Sequence, residues 1–126
     1  MSFFDKIFGS KNNNPERKSF WNKIESEEDL AKALENSYHH RIAIFKHSTR
    51  CFISTTVLKN FEREIDNSND KLDLYYLDLL TYRAISNKIS EDLGIRHESP
   101  QLIIIEDGKV INSSSHEDIS ISQIVS

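Results

Sequence analysis

A continuous apolar run near the middle of the chain, Ile42-Ala43-Ile44-Phe45, constrains the fold most strongly. A strand with one solvated face alternates apolar and polar residues, whereas a strand covered on both faces is apolar throughout. The run therefore predicts a central strand of a parallel sheet. Because parallel strands are joined by crossover segments, which are usually helices, we expect helices on both sides of it.

The segments around this run do show helical periodicity. Ser26 has the form of an N-cap followed by acidic first-turn residues. A second helix is predicted from Cys51 to the turn-forming run 67–70, and a third ends where Gly94 can adopt a left-handed C-cap. Their apolar stripes are Leu30, Ala33 and Leu34; Ile53, Val57, Leu58, Phe61 and Ile65; and Tyr82, Ile85, Ile89 and Leu93.

The remaining apolar segments predict further strands and a last helix. One short strand is expected around 72–77. A hairpin is expected from 102–105 and 110–111, because the Asp-Gly pair between them is the strongest short hairpin signal. Residues 115–118 are expected to open one capped helix, which carries Ile119, Ile121 and Ile124 to the end.

This order of elements predicts an α/β fold with a central mixed sheet of about four strands and helices on both faces, which is the thioredoxin-like architecture. With 126 residues the chain fits one domain, which we expect to span 20–126. Residues 1–19 are expected to form a flexible N-terminal tail, because 9–18 are almost wholly polar.

Composition excludes several classes of function. The net charge of -4, with both signs interleaved, argues against nucleic-acid and membrane-surface partners. The first residues resemble neither a secretory signal nor a membrane span, so we expect a cytoplasmic protein, and we expect a monomer. A single cysteine excludes an internal disulfide and an all-cysteine zinc site. The histidines lack metal-ligand spacing, so no metal is expected.

Cys51 is that single cysteine, and it lies where the apolar strand ends and a helix begins. A thiol at a helix N-terminus beside Arg50 and Lys46 is a thiol whose ionised form is stabilised. An ordinary cysteine is only about 5% ionised near pH 7.3, and these neighbours are expected to raise that fraction several-fold. We therefore expect Cys51 to be a nucleophile, with Thr49 as the N-cap of its helix.

Ser54 lies three residues after Cys51, on the same helical face, where a dithiol oxidoreductase carries its second cysteine. Its hydroxyl can donate a hydrogen bond to the thiolate but cannot form a second disulfide. A mixed disulfide on Cys51 must then be released by an outside thiol, which is a monothiol mechanism. His47 either tunes the site from four residues upstream or is simply solvated at the strand end.

Ser99-Pro100 lies directly before the hairpin's first strand. Thioredoxin-like folds keep a cis proline at this position, facing the active-site sulfur, so we expect a cis bond here. We expect Ser99 and Pro100, together with Phe52 and His47, to form the substrate-binding surface.

The chain also resembles a known family in several separated segments. The resemblance spans roughly Trp21 to Ile119 and resides in 49–54, 98–101 and Ser115-His116, with further matches in Leu77-Asp78-Leu79-Leu80 and Tyr82-Arg83. These segments resemble the monothiol bacilliredoxins, the YtxJ-like redox proteins of the bacillithiol system, within the thioredoxin-like superfamily. The family often has proline directly after its cysteine, where this chain has Phe52.

The resemblance implies a thiol-disulfide oxidoreductase that removes bacillithiol from mixed disulfides on client proteins. It implies bacillithiol as the thiol co-substrate, bacillithiolated proteins as partners, and a second redoxin or reductase for regeneration. Two alternatives stay open: an iron-sulfur cluster carrier of the monothiol glutaredoxin type, and a non-catalytic adaptor in which Cys51 only senses oxidation.

Overall fold

The computed structural model describes residues 20–68 and 72–125. The tail predicted for 1–19 lies outside the described residues, as do residues 69–70 of the predicted turn and residue 71. The elements follow in the order β1 (Trp21–Lys23), α1 (Glu27–Asn36), β2 (Ile42–His47), α2 (Phe52–Asp66), β3 (Asp73–Asp78), α3 (Arg83–Leu93), β4 (Gln101–Glu106), β5 (Lys109–Ser115), a 3-10 turn (His116–Asp118) and α4 (Ser122–Val125).

These strands form one mixed sheet in the order β1-β3-β2-β4-β5. β2 lies at its centre, parallel to β3 and antiparallel to β4. The α/β class and the mixed sheet are confirmed, with five strands where about four were expected. The additional strand is β1, which is only three residues long and exposes Asn22 and Lys23, so it carries too little apolar pattern to be recognised.

Local signals in the sequence set several of the boundaries. The Ser26 hydroxyl accepts a hydrogen bond from the N–H of Asp29 at 3.0 Å, which caps α1 as expected. Gly94 ends α3 with φ 67°, in the left-handed region that glycine enters at little cost. Asp107 and Gly108 have φ 55° and 75°, so the β4–β5 hairpin turns with both central residues at positive φ.

Two apolar clusters cover the two faces of the sheet, because successive residues of β2 point to opposite sides. Ala43 and Phe45 pack in one cluster with α2 and the C-terminal segment. Ile42 and Ile44 pack in the other with α1 and α3. All four residues are fully buried, so the expectation of a strand covered on both faces is confirmed.

The single helix expected after 115–118 is wrong. Ser115 ends β5, a 3-10 turn follows, and Ile119 is extended at φ -67° and ψ 126°, which separates the turn from the short α4. The apolar spacing nevertheless identified buried positions, since Ile119 and Ile124 are 7% and 5% exposed. Burial at these positions does not require one continuous helix.

Candidate active site

Cys51 lies in the connection between the central strand and the helix that follows it. It is half-buried and is itself the N-cap of α2, with extended φ -101° and ψ 120°. The expectation that Thr49 is the N-cap is therefore wrong. Thr49 and Arg50 form an exposed turn before the cap, closed by a hydrogen bond of 3.1 Å from the Cys51 N–H to the Ser48 carbonyl.

The turn that carries Cys51 is held by Ser54. We call residues 48–54 the cysteine loop. The Ser54 side chain is fully buried, its Oγ accepts a hydrogen bond from the N–H of Ser48 at 3.1 Å, and it lies 2.7 Å from Nδ1 of His47. Ser54 thus closes a ring of contacts from the end of β2 to the first turn of α2. Its expected hydrogen bond to the thiolate stays a prediction.

His47 is an internal residue of the site. It is 4% exposed, and its ring packs 5.8 Å from that of Tyr76 and 6.4 Å from that of Phe45, centroid to centroid. The expectation of a solvated histidine at the strand end is therefore wrong, because α2 and the neighbouring strand cover this end of β2. The ring supports the cysteine loop through its contact with Ser54, and its expected substrate contact stays a prediction.

Lys46 also differs from expectation, since it is not an exposed cation flanking the thiol. It is fully buried on the α1 and α3 side of the sheet. Its Nζ lies 3.3 Å from the Ser86 carbonyl, 3.3 Å from Ser90 Oγ and 3.1 Å from Nδ1 of His97. Burial lowers the pKa of Lys46 from 10.5 to about 8.

Residues 95–100, which we call the proline loop, connect α3 to β4. The Ser99-Pro100 bond is cis, as expected. Pro100 is buried, and the Ser99 Oγ is buried without a hydrogen-bond partner among the described residues. Gln101 is 4% exposed and donates from Nε2 to the Arg96 carbonyl at 2.9 Å, which ties the loop to the first residue of β4.

Sequence reasoning placed Lys46 beside the thiol and missed two further residues of this region, Gln101 and His97. A lysine directly after an apolar strand run and a glutamine at the start of an apolar strand were the available signals. Neither signal predicts which residue the side chain contacts, because His97, one of the partners of Lys46, lies 51 residues away in the chain.

The surface beside the thiol is apolar. Phe52 and Ile53, the two residues after Cys51, are 83% and 53% exposed, so Ile53 does not join the buried stripe of α2 as predicted. They border a groove of about 270 Å³ along α2, and Arg50, the residue before the cysteine, is exposed. The lining of this α2 groove is Phe52, Ile53, Thr56, Val57, Asn60, Glu64, Glu117 and Ile119.

Within residues 20–68 and 72–125, no group of three or more His, Cys, Asp or Glu side chains is arranged to hold a metal ion. In the same part of the chain, no helix combines the length and apolar character needed to cross a membrane.

Comparison with known families gives a match over most of the chain. Residues 22–124 match the model of the family described as "Monothiol bacilliredoxin BrxC". The match includes the cysteine loop, the proline loop and every element from α1 to the 3-10 turn.

Solved structures similar to this one share the thioredoxin fold. A protein described as a candidate oxidoreductase with a thioredoxin fold is 26% identical, with a TM-score of 0.72, covering 84% of this chain and 91% of its own. The Malassezia sympodialis thioredoxin Mala s 13 is 21% identical, with a TM-score of 0.64, covering 90% and 93%. Fasciola hepatica thioredoxin is 17% identical, with a TM-score of 0.59, covering 75% and 86%. The last two show the fold alone.

Proposed function

The chain belongs to the monothiol bacilliredoxin family, and on that premise we propose that it removes bacillithiol from mixed disulfides on client proteins. The family and the thioredoxin fold support a redox role. The proposal adds the chemical identity of the substrate and the monothiol route, with Cys51 as the attacking residue.

In the first step the Cys51 thiolate attacks the bacillithiol sulfur of the client's mixed disulfide. A disulfide forms between Cys51 and bacillithiol, the original disulfide bond breaks, and the client cysteine leaves as a thiolate. The position of Cys51 at the N-terminus of α2 supports this step, because free N–H groups and the helix dipole favour negative charge there.

In the second step the thiolate of a free bacillithiol attacks the bacillithiol sulfur now bound to Cys51. Cys51 leaves as a thiolate, and bacillithiol disulfide is released. The disulfide has then passed from client to bacillithiol without a second protein cysteine, and a separate reductase must return two electrons to the bacillithiol disulfide.

One observation carries the proposal: the only cysteine of the chain occupies the N-cap of the helix that follows the central strand. Ser54 occupies the position three residues on and is already engaged with Ser48 and His47. With no resolving thiol in the chain, an outside thiol must complete the cycle.

The surroundings of Cys51 suit a protein client. Exposed Phe52 and Ile53 offer apolar contact area beside the thiol. Arg50 is the exposed cation next in sequence to the thiol, and its guanidinium suits either the thiolate or a carboxylate of bacillithiol.

The test incubates the purified protein with a model protein carrying a bacillithiol mixed disulfide and follows the intact masses of both, with Cys51→Ala alongside. We expect the bacillithiol mass to move to the wild type and not to the variant, and added bacillithiol to release it. If the wild type gains no bacillithiol while Cys51 still alkylates readily, the reductase function is wrong, and cluster binding or an adaptor role takes its place.

A further inference from the structure

Lys46 is a buried cation that the proposed chemistry does not use. It lies in the central strand, fully buried, on the same face as the apolar residues Ile42 and Ile44. Burying an ammonium group costs free energy unless its donors are satisfied. The ammonium of Lys46, one strand residue before His47, therefore requires hydrogen-bond acceptors inside the protein.

The three partners of the Lys46 Nζ are all uncharged acceptors. Two belong to α3, the Ser86 carbonyl and the Ser90 Oγ, each at 3.3 Å. The third is Nδ1 of His97 in the proline loop, at 3.1 Å. No carboxylate lies within salt-bridge distance of Lys46 in the described ranges. The cation thus serves to join β2 to α3 and to the proline loop.

The contact with Lys46 determines the protonation of His97. An ammonium group has donors only, so Nδ1 of His97 must accept, and the ring proton of the neutral imidazole must lie on Nε2. Burial, then the charge of Lys46, then that of Arg83 lower the pKa of His97, against an opposite effect of Glu98. These groups come from β2, α3 and the loop itself, and together they favour the neutral ring.

A second buried polar residue holds the same loop. Gln101 is the register partner of Lys46 across the β2–β4 pair. It donates to the Arg96 carbonyl at 2.9 Å and accepts from the Glu98 N–H at 3.4 Å. Three consecutive residues of the proline loop, 96–98, are therefore bound by two side chains that lie opposite each other in the sheet.

We propose that Lys46 is a positioning residue for client binding: its ammonium holds His97 in the Nε2–H form and fixes the proline loop against the strand that leads to Cys51. The consequence for clients rests on the proposed function. Lys46 acts on the proline loop. The cysteine loop is held on the opposite face of the sheet by the contact between His47 and Ser54. The nucleophilicity of Cys51 should therefore not depend on Lys46.

The first test is an NMR titration of His97, which needs no substrate. Ring 15N shifts of the wild type should report the Nε2–H form, with Nδ1 accepting. In Lys46→Met, where a thioether of similar length replaces the ammonium, the His97 pKa should rise and the Nδ1–H form should appear. Lys88→Met, which removes an exposed α3 lysine paired with Asp92, should leave both unchanged. An unchanged His97 in Lys46→Met overturns the proposal.

The second test separates client binding from thiol reactivity. In Lys46→Met, kcat/KM for a bacillithiolated protein should fall by up to roughly 100-fold, mainly through KM, since misplacing a binding loop by about 1 Å has effects of that order. The rate of Cys51 alkylation by iodoacetamide should not change. A parallel fall in both rates overturns the positioning role.

His97→Ala provides a second variant, because His97 is exposed and its removal leaves the core intact. It should reproduce the KM effect of Lys46→Met, and a wild-type KM in a folded His97→Ala protein also overturns the proposal. If the wild type transfers no bacillithiol at all, the proposed function fails, while the NMR titration still decides whether Lys46 governs His97.

Discussion

The two loops of the site are held by consecutive residues of one strand, yet by different kinds of contact. The cysteine loop is held on one face of the sheet by His47 through the buried, uncharged Ser54, over a separation of seven residues. The proline loop is held on the other face by the ammonium of Lys46 through His97, over a separation of 51 residues.

This difference shows that the two loops are supported independently of each other. Because neighbouring side chains of a strand point to opposite faces, one strand end supports two loops through independent contacts. The local ring around Ser54 can form as soon as α2 joins β2. The Lys46 contact needs α3 and the proline loop already packed. Substitutions in one region should therefore leave the properties of the other unchanged.

The largest effect is expected in the pH dependence of stability. It tests whether Lys46, which contacts the proline loop, is a buried cation. Lys46 has a pKa of about 8 in the folded protein against an ordinary value of 10.5, so between these values the folded state binds fewer protons than the unfolded state. The free energy of unfolding should therefore rise with pH across this window, by roughly 3 kcal/mol in total. Urea unfolding from pH 7 to 9.5 should show about 2 kcal/mol of this rise in wild type relative to Lys46→Met.

Lys88→Met is the control with the opposite sign. The hydrogen bond to Asp92 is the first cause that raises the pKa of Lys88, so its contribution to stability is lost as pH rises and is small because the pair is exposed. Wild-type and Lys46→Met curves that run parallel in pH would show that Lys46 is not a desolvated cation.

The next effect tests the uncharged contact of the cysteine loop. Ser54→Ala removes the acceptor of the part-buried Ser48 N–H and the buried contact with His47 Nδ1, so the free energy of unfolding should fall by about 2 kcal/mol, with no pH dependence like that of Lys46. Thr49→Ala, in the exposed turn of the same loop, should change it by less than about 0.5 kcal/mol. Equal effects of the two substitutions in urea unfolding would contradict the ring of contacts around Ser54.

The smallest effect on stability is expected at the surface beside the thiol. A substitution there should affect only the turnover of protein clients. Phe52→Ser should change the free energy of unfolding by less than about 0.5 kcal/mol because Phe52 is 83% exposed. It should lower kcat/KM for a bacillithiolated protein but not for a small bacillithiol mixed disulfide. Ile111→Ser removes an exposed apolar residue of β5 outside the α2 groove and should change neither. Faster reaction with both substrates would show that Phe52 shields the thiol.

Much of the framework was predictable from local patterns. The apolar run at 42–45, the Ser26 cap, Gly94 and the Asp107-Gly108 turn each correspond to an observed element, because each depends on residues close together in the chain. The last helix was not predictable in this way. A 3-10 turn and the extended Ile119 interrupt it, and they do so while preserving the burial that the spacing indicated.

The candidate site shows the same difference between features set by neighbouring residues and features set by tertiary packing. The sequence by itself determined that the chain has one thiol, at the end of a central strand, so any disulfide exchange must be completed by an outside thiol. Only the tertiary structure decided that Cys51 rather than Thr49 caps α2, that His47 is internal, and that Lys46 reaches His97. The physical reason is that a helix start or a turn depends on neighbouring residues, whereas the partner of a buried polar group is set by segments that meet only when the sheet and its helices pack.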